Sequence, residues 1–206
     1  MDYINLFSDL GFNFKVDLKP KHVCIENNSA LTDNLKESVF FYSSPNNTNT
    51  SFYLITTELD TNEFEEIRKY IWNKNDADLI FYYPIDDSKL EMFYAKYSPK
   101  IRIKESILDT FIISNNDLSK LEKIKHWQFD SGVFWLNYHS FIDRAKYKGI
   151  DKELVSTLKT LKEKLFNSLF SLITEESKCN EIVQALIDRT LYIKYLEDNH
   201  IINSHF

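Results

Sequence analysis

Residues 52–83 read FYLITTELDTNEFEEIRKYIWNKNDADLIFYY, and this stretch decides the fold. Its first part, Phe52 to Leu59, is rich in β-branched and aromatic residues and predicts a strand. Asp60-Thr61-Asn62-Glu63 is a helix N-cap signature. A side-chain oxygen of Asp60 or Thr61 accepts from the free amides of the first turn, and acidic residues there suit the helix dipole. Phe64, Ile67, Tyr70 and Ile71 follow at helical spacing, and the helix ends near Lys74-Asn75. Ala77 to Tyr83 is nearly continuous in apolar residues and predicts the next strand. Strand, helix, strand is a crossover unit, so at least one parallel pair is expected.

Outward from this unit, residues 38–44 predict a short strand, and the Asn/Thr-rich stretch from Pro45 to Thr50 predicts a turn. These residues and the strand from Phe52 form an expected hairpin. Pro84 to Ser88 reads as a turn and Leu90 to Tyr97 as a further strand. A mixed sheet with helical cover is the natural product. Residues 114–126 predict a short helix with a polar start, and Trp127 to Tyr138 reads as aromatic and loop-like. Two long helices close the chain. Leu154, Leu158, Leu161, Leu165, Leu169 and Leu172 form a sustained helical face from Asp151 to Ile173. Ser177 is the expected cap of the second, along which Ile182, Leu186, Arg189, Ile193 and Leu196 are spaced before an end near Asn199. The expected domains are an α/β domain over 1–145 and a helical hairpin connector over 146–206.

Composition narrows the class. Hydrophobic residues make up 43% of the 206 and aromatic residues 15%, which is enough for a core. Three glycines and four prolines argue against collagen-like, linker-rich or disordered chains. A formal charge of −6 gives no electrostatic case for nucleic acid, although it leaves local patches open. Cys24 and Cys179 are isolated and read as free thiols in a reducing compartment. No basic, then apolar, leader opens the chain, and no run approaches the ~20 apolar residues of a membrane span. A cytoplasmic location and no membrane partner are therefore expected.

Several chemistries find no pattern. No two of the five histidines are spaced at i+3 or i+4, and Cys24 beside His22 lacks a second pair of ligands. Glycine stands only at 11, 132 and 149, so no glycine-rich phosphate loop is present and no cofactor is expected within this chain. There is no Gly-x-Ser-x-Gly elbow. Carboxylates near strand ends are the remaining candidates. Magnesium-dependent nucleases place two or three acidic ligands and a lysine at a sheet edge, where the metal positions water and neutralises phosphate charge. Here Glu58, Asp78 and Glu91 are the candidate metal ligands, with Lys89 or Lys96 near the attacking water. These ingredients resemble a PD-(D/E)xK nuclease, but the order differs. Glu91 is followed by Met92 and Phe93, so the Glu-x-Lys tripeptide is missing. Asp60 also serves as a helix cap, and Asp86-Asp87 as turn formers. Trp127 to Trp135 offers either a base-stacking surface or a buried plug between domains.

Three ordered elements carry a family resemblance over roughly residues 52–202. The first runs from Glu58-Leu59-Asp60 to Trp72-Asn73. The second is Phe129-Asp130-Ser131-Gly132-Val133-Phe134-Trp135. The third is the last helix, from Ala185 through Arg189 to Leu196-Glu197-Asp198 and on to Ile202. Together they resemble the N-terminal region of type II restriction–modification enzymes, the fused adenine-specific DNA methyltransferase/endonuclease family. Asn199-His200 departs from that family's usual Arg/Lys-Gly. The resemblance implies a nuclease-like α/β domain and a connector to a downstream methyltransferase domain. It implies DNA as a partner of the full-length protein, and S-adenosylmethionine and Mg2+ as that protein's cofactors. None of Trp72, Asn73, Gly132, Phe134, Trp135, Arg189, Leu196, Glu197 or Asp198 carries a catalytic role. An active magnesium nuclease and a stand-alone protein-interaction module are the alternative expectations.

Overall fold

The computed structural model describes residues 3–25, 28–44, 50–84, 88–113, 118–142, 150–173 and 175–198. The chain divides into two compact units, Met1–Ile150 and Asp151–Phe206.

The first unit is built on a six-stranded mixed sheet. Its strands are β1 (Lys19–Pro20), β2 (Val39–Ser43), β3 (Ser51–Ile55), β4 (Leu79–Tyr82), β5 (Lys89–Tyr94) and β6 (Ile107–Ile112). They lie in sequence order across the sheet. β3 and β4 are parallel, with Phe52 beside Leu79, and the other neighbouring pairs are antiparallel. Helix α3 (Thr61–Lys74) makes the crossover between the parallel strands. Its start is a full capping box: the Asp60 carboxylate accepts from the Asn62 and Glu63 amides at 2.7 and 2.9 Å, and Glu63 accepts from the Asp60 amide at 2.9 Å. Such a cap contributes about 1 kcal/mol. The helix stops at Asn75, which adopts the left-handed conformation at φ 53°.

Strand alternation sorts side chains onto two buried faces. Phe52, Leu54, Leu79, Phe81, Leu90 and Met92 join one cluster, with Leu6 and Phe7 from α1 (Tyr3–Asp9). Tyr53, Ile55, Ile80 and Phe93 join the other. Phe64, Ile67 and Ile71 of α3 cover that second face together with Leu31 and Leu35 of α2 (Ser29–Leu35). Both faces being apolar explains why β4 reads as an unbroken apolar run. Before β6, the four residues Ile103–Ser106 form the short helix α4.

The stretch from Trp127 to Tyr138 corrects the loop reading. It forms two short helices, α6 (His126–Asp130) and α7 (Phe134–Tyr138), reached from α5 (Leu118–Leu121) through a 3₁₀ turn over Glu122–Ile124. Phe129 and Phe134 are fully buried and stack on each other at 4.7 Å. Phe129 also lies 5.4 Å from Phe52 and 5.9 Å from Tyr42. The aromatic segment is therefore core of the first unit, while Trp127 remains half exposed. Gly132 has φ +73°, which permits the sharp reversal between α6 and α7. His126 anchors the segment from its start: Nε2 lies 3.6 Å from Asp17 and Nδ1 lies 3.4 Å from Asp130, which also accepts from the Tyr42 hydroxyl at 2.7 Å.

The second unit is a helical pair, α8 (Ile150–Phe170) and α9 (Glu176–Asp198). Cys179, Val183 and Ile187, four residues apart, pack with Leu158, Leu165, Phe166 and Leu169. This turns a different face of α9 inward from the expected one. Leu186 and Ile193 are 43% and 49% exposed, and Arg189 is also exposed. The cap differs too. The Cys179 amide donates to the Glu175 carbonyl at 3.0 Å, so α9 starts at Glu176, and Ser177 lies inside its first turn. Cys24 is an exposed free thiol and Cys179 a buried one. No described helix is long and apolar enough to cross a membrane.

Candidate functional site

The sheet separates Asp78 from the other two candidate carboxylates, Glu58 and Glu91. Asp78 stands immediately before β4, whereas Glu91 pairs with Tyr82 at that strand's far end. Four residues of strand place these positions roughly 13 Å apart. Glu58 follows β3 at the Tyr82 end, where the Leu59 amide donates to the Tyr82 hydroxyl at 3.1 Å. Glu91 is ion-paired with Lys89 on its own strand. Among the described residues, no group of three His, Cys, Asp or Glu side chains is placed to hold a metal ion. Asp60 is occupied as the α3 cap, and Asp86 and Asp87 lie outside the described residues.

Asp78 and Lys96 do come together, at the edge of a polar cleft of about 320 Å³. The antiparallel turn of β5 onto β4 sets this, with the Ala95 amide donating to the Asp78 carbonyl at 2.8 Å. The Asp78 carboxylate accepts from the Ser51 amide at 3.3 Å and lies 3.9 Å from Lys96 Nζ. Lys96 Nζ donates to the Asn75 carbonyl at 3.1 Å and to its side-chain oxygen at 2.8 Å. The left-handed Asn75 thus both ends α3 and places an oxygen over the cleft.

Asp76 also lines the cleft. It accepts from the Tyr53 hydroxyl at 2.9 Å and from Lys21 Nζ at 3.3 Å. Burial first, then the Asp76 carboxylate, pushes the Tyr53 hydroxyl well above its ordinary pKa, so it keeps the proton that it donates to Asp76. The Ser51 hydroxyl donates to the Asp76 carbonyl at 2.8 Å. Ser43, Ser44 and Thr50 complete the lining. Of the cleft's charged residues, the sequence reading picked out Asp78 and Lys96. It missed Asp76, and with it the uncharged Thr50 of the lining and Lys21, which pairs with Asp76 without lining the cleft, because strand register brings them together. The run Asn75-Asp76-Ala77-Asp78 at a helix-to-strand junction is the signal that was available.

Burial pushes the Asp78 carboxyl above the ordinary carboxylate range, against the pull of Lys96 and the Ser51 amide. The folded chain therefore binds this proton more tightly than the unfolded chain does. Stability tied to Asp78 is highest in acid and falls as pH rises from the ordinary carboxylate value through the raised folded value. Asp78→Asn is expected to remove that fall, matching wild type in acid and exceeding it at neutral pH. Urea unfolding at a series of pH values checks this; identical slopes in the two proteins would rule out the assignment.

The family-resemblance residues occupy structural positions. Trp72 is half-buried and Asn73 exposed on the last turns of α3. Phe134 is core, and Trp135 packs 6.0 Å from Tyr94. Leu196 and Glu197 are half-buried near the end of α9, which closes at Asp198. These features define a mixed α/β unit carrying a polar cleft, together with a helical pair. In comparisons with family models, curated proteins and solved structures, the chain matches none.

Proposed function

We propose that the chain is a non-catalytic scaffold module of a restriction–modification adenine methyltransferase/endonuclease, with α9 as the surface that seats the methyltransferase domain. The observation that carries this reading is the division of α9 along its length, packed in its first half and exposed on several sides near its end. Cys179, Val183 and Ile187 pack against α8, while Leu191, Tyr192, Ile193 and Tyr195 are 42–63% exposed. That exposed group falls within the segment whose sequence resembles the family connector. Clustered exposed apolar side chains of this kind mark interaction surfaces. The scattered carboxylates support a module without a metal nuclease centre. A net charge of −6 supports DNA being reached through the assembled protein rather than by this chain alone.

The test supplies the chain in trans to the adenine methyltransferase domain encoded with it and follows S-adenosylmethionine-dependent methylation and complex formation. Tyr192 and Ile193 are exposed, so Tyr192→Asp and Ile193→Asp should leave the helical pair folded. The expected result is micromolar association that either substitution weakens by about tenfold or more. Absence of such a domain, or equal association by wild type and both variants, would overturn the reading.

A further inference from the structure

The stripe Ile182, Leu186, Arg189, Ile193 and Leu196 is not the face that α9 turns to α8. Its members are spaced 4-3-4-3, the heptad period of a helix that packs along another helix. Leu186 and Ile193 are exposed, and Ile182 and Leu196 are half-buried. Helix α8 has a matching feature. Leu154 and Leu161, seven residues apart, are 50% and 40% exposed, while Leu158 and Leu165 pack inward.

Both stripes lie on one side of the helical pair. On α8, Leu154 and Leu161 are turned about 40–60° round the axis from Leu158. On α9, Leu186 and Ile193 are turned about 60–80° in the same sense from Val183. The helices are antiparallel, joined across residues 171–175, so equal senses of rotation point both stripes the same way. Cys179 Sγ lies 3.8 Å from the Phe166 carbonyl oxygen. That register brings Leu161 level with Leu186 and Leu154 level with Ile193, each within about 3 Å along the axis. The pair thus carries two apolar layers on one face.

The occupant that fits this face is a second copy of the chain. Among the described residues of this unit, only Cys179, Val183 and Ile187 are buried hydrophobics, too few for a two-helix unit to stand without further apolar burial. An antiparallel pair has no net direction, so a copy rotated by a two-fold axis offers the same two layers, with every helix again antiparallel to its neighbours. The exposed and half-buried members of the two stripes present roughly 400 Å² of apolar surface per copy. Interfaces are a little over half apolar, so two such faces correspond to about 1,400 Å² of interface, within the range of stable complexes.

We propose that two copies pair through this face into a four-helix bundle, with α9 of each copy against α8 of the other. Pairing α9 on α9 would bring the two Arg189 guanidinium groups together, and the chosen arrangement keeps them apart. The face meets the surface assigned to the methyltransferase domain at Ile193 alone. Leu191, Tyr192 and Tyr195 fall on other sides of α9.

Sedimentation equilibrium of the full chain from about 1 to 100 µM tests this. The expected result is conversion from monomer to dimer mass with a micromolar dissociation constant. Leu161→Asp on α8 and Leu186→Asp on α9 change exposed positions, so each should keep its circular-dichroism helicity and weaken the dimer by about tenfold or more. Tyr192→Asp lies off this face and should dimerise as wild type does, which separates this surface from the one that seats the methyltransferase domain. A wild-type chain that stays monomeric throughout, a dimer that both leucine variants leave intact, or one that Tyr192→Asp breaks would overturn the proposal.

Discussion

Phe129→Ala is expected to destabilise the first unit by about 3–5 kcal/mol, the range for emptying a fully buried aromatic site. Phe129 is 0% exposed and sits at the meeting point of several rings. It stacks on Phe134 at 4.7 Å and contacts Phe52, Phe12 and Tyr42 at centroid distances of 5.4, 5.7 and 5.9 Å. Those neighbours belong to α7, β3, the segment after α1, and β2, so no single element can move in to fill the gap. The loss compares with a total stability of roughly 5–15 kcal/mol for a domain of ordinary size. The variant should therefore unfold at much lower urea concentration with an unchanged slope. Phe129→Leu, which refills part of the space, should lose clearly less. A midpoint for Phe129→Ala equal to wild type would show that the aromatic segment is not core.

Arg68→Met is expected to cost on the order of 2–6 kcal/mol, from about 1–3 kcal/mol for each of two carbonyls left without its donor. Arg68 lies on α3 with its side chain 1% exposed. Its guanidinium donates to the Ile101 carbonyl at 2.6 Å, to the Ser98 carbonyl at 3.2 Å and to Glu65 at 3.5 Å. Burial pulls its pKa down, but the guanidinium remains the cation that holds the segment after β5 to the crossover helix. Methionine keeps much of the apolar volume, so the measured loss reports the hydrogen bonds rather than a cavity. Arg68→Lys should lose less, because both carbonyls accept from a single guanidinium nitrogen and an ammonium also carries several donors. Urea unfolding of the three proteins decides this, and a Met variant as stable as wild type would show that the carbonyls find other partners.

The crossover unit was legible because each of its signals is local. Asp60 and Glu63 lie three residues apart and cap each other, Phe64, Ile67 and Ile71 repeat at the helical period, and residues 79–81 are apolar because both sheet faces are covered. Arg68 interrupts that helical pattern as a charge, and nothing nearby in sequence announces that it is buried. Strand β6 was overlooked because Ile107 to Ile112 mixes polar and apolar residues, and a register shift at Met92/Phe93 offsets its alternation. The aromatic segment at 127–138 was misread as loop because its helices are only five residues each, too short to show a period. Its composition marked it as buried; only the packing assigned it to the first unit.

On α9, the sequence offered two overlapping apolar stripes, and periodicity alone cannot choose between them. Packing against α8 chose Cys179, Val183 and Ile187 and left Leu186 and Ile193 outside. The cleft was decided in the same way. Asp78 and Lys96 stand 18 positions apart in sequence, and Thr50 lies further off still, so their convergence depends on strand register. Glu58 and Glu91 look equally suitable by residue type, and the sheet sends them to the opposite end. By itself the sequence determined what short-range chemistry controls: the helix cap, the helical and strand periods, and the mixed sheet that a crossover requires. Tertiary structure alone decided which polar side chains share one space, because that depends on long-range pairing that no local spacing encodes.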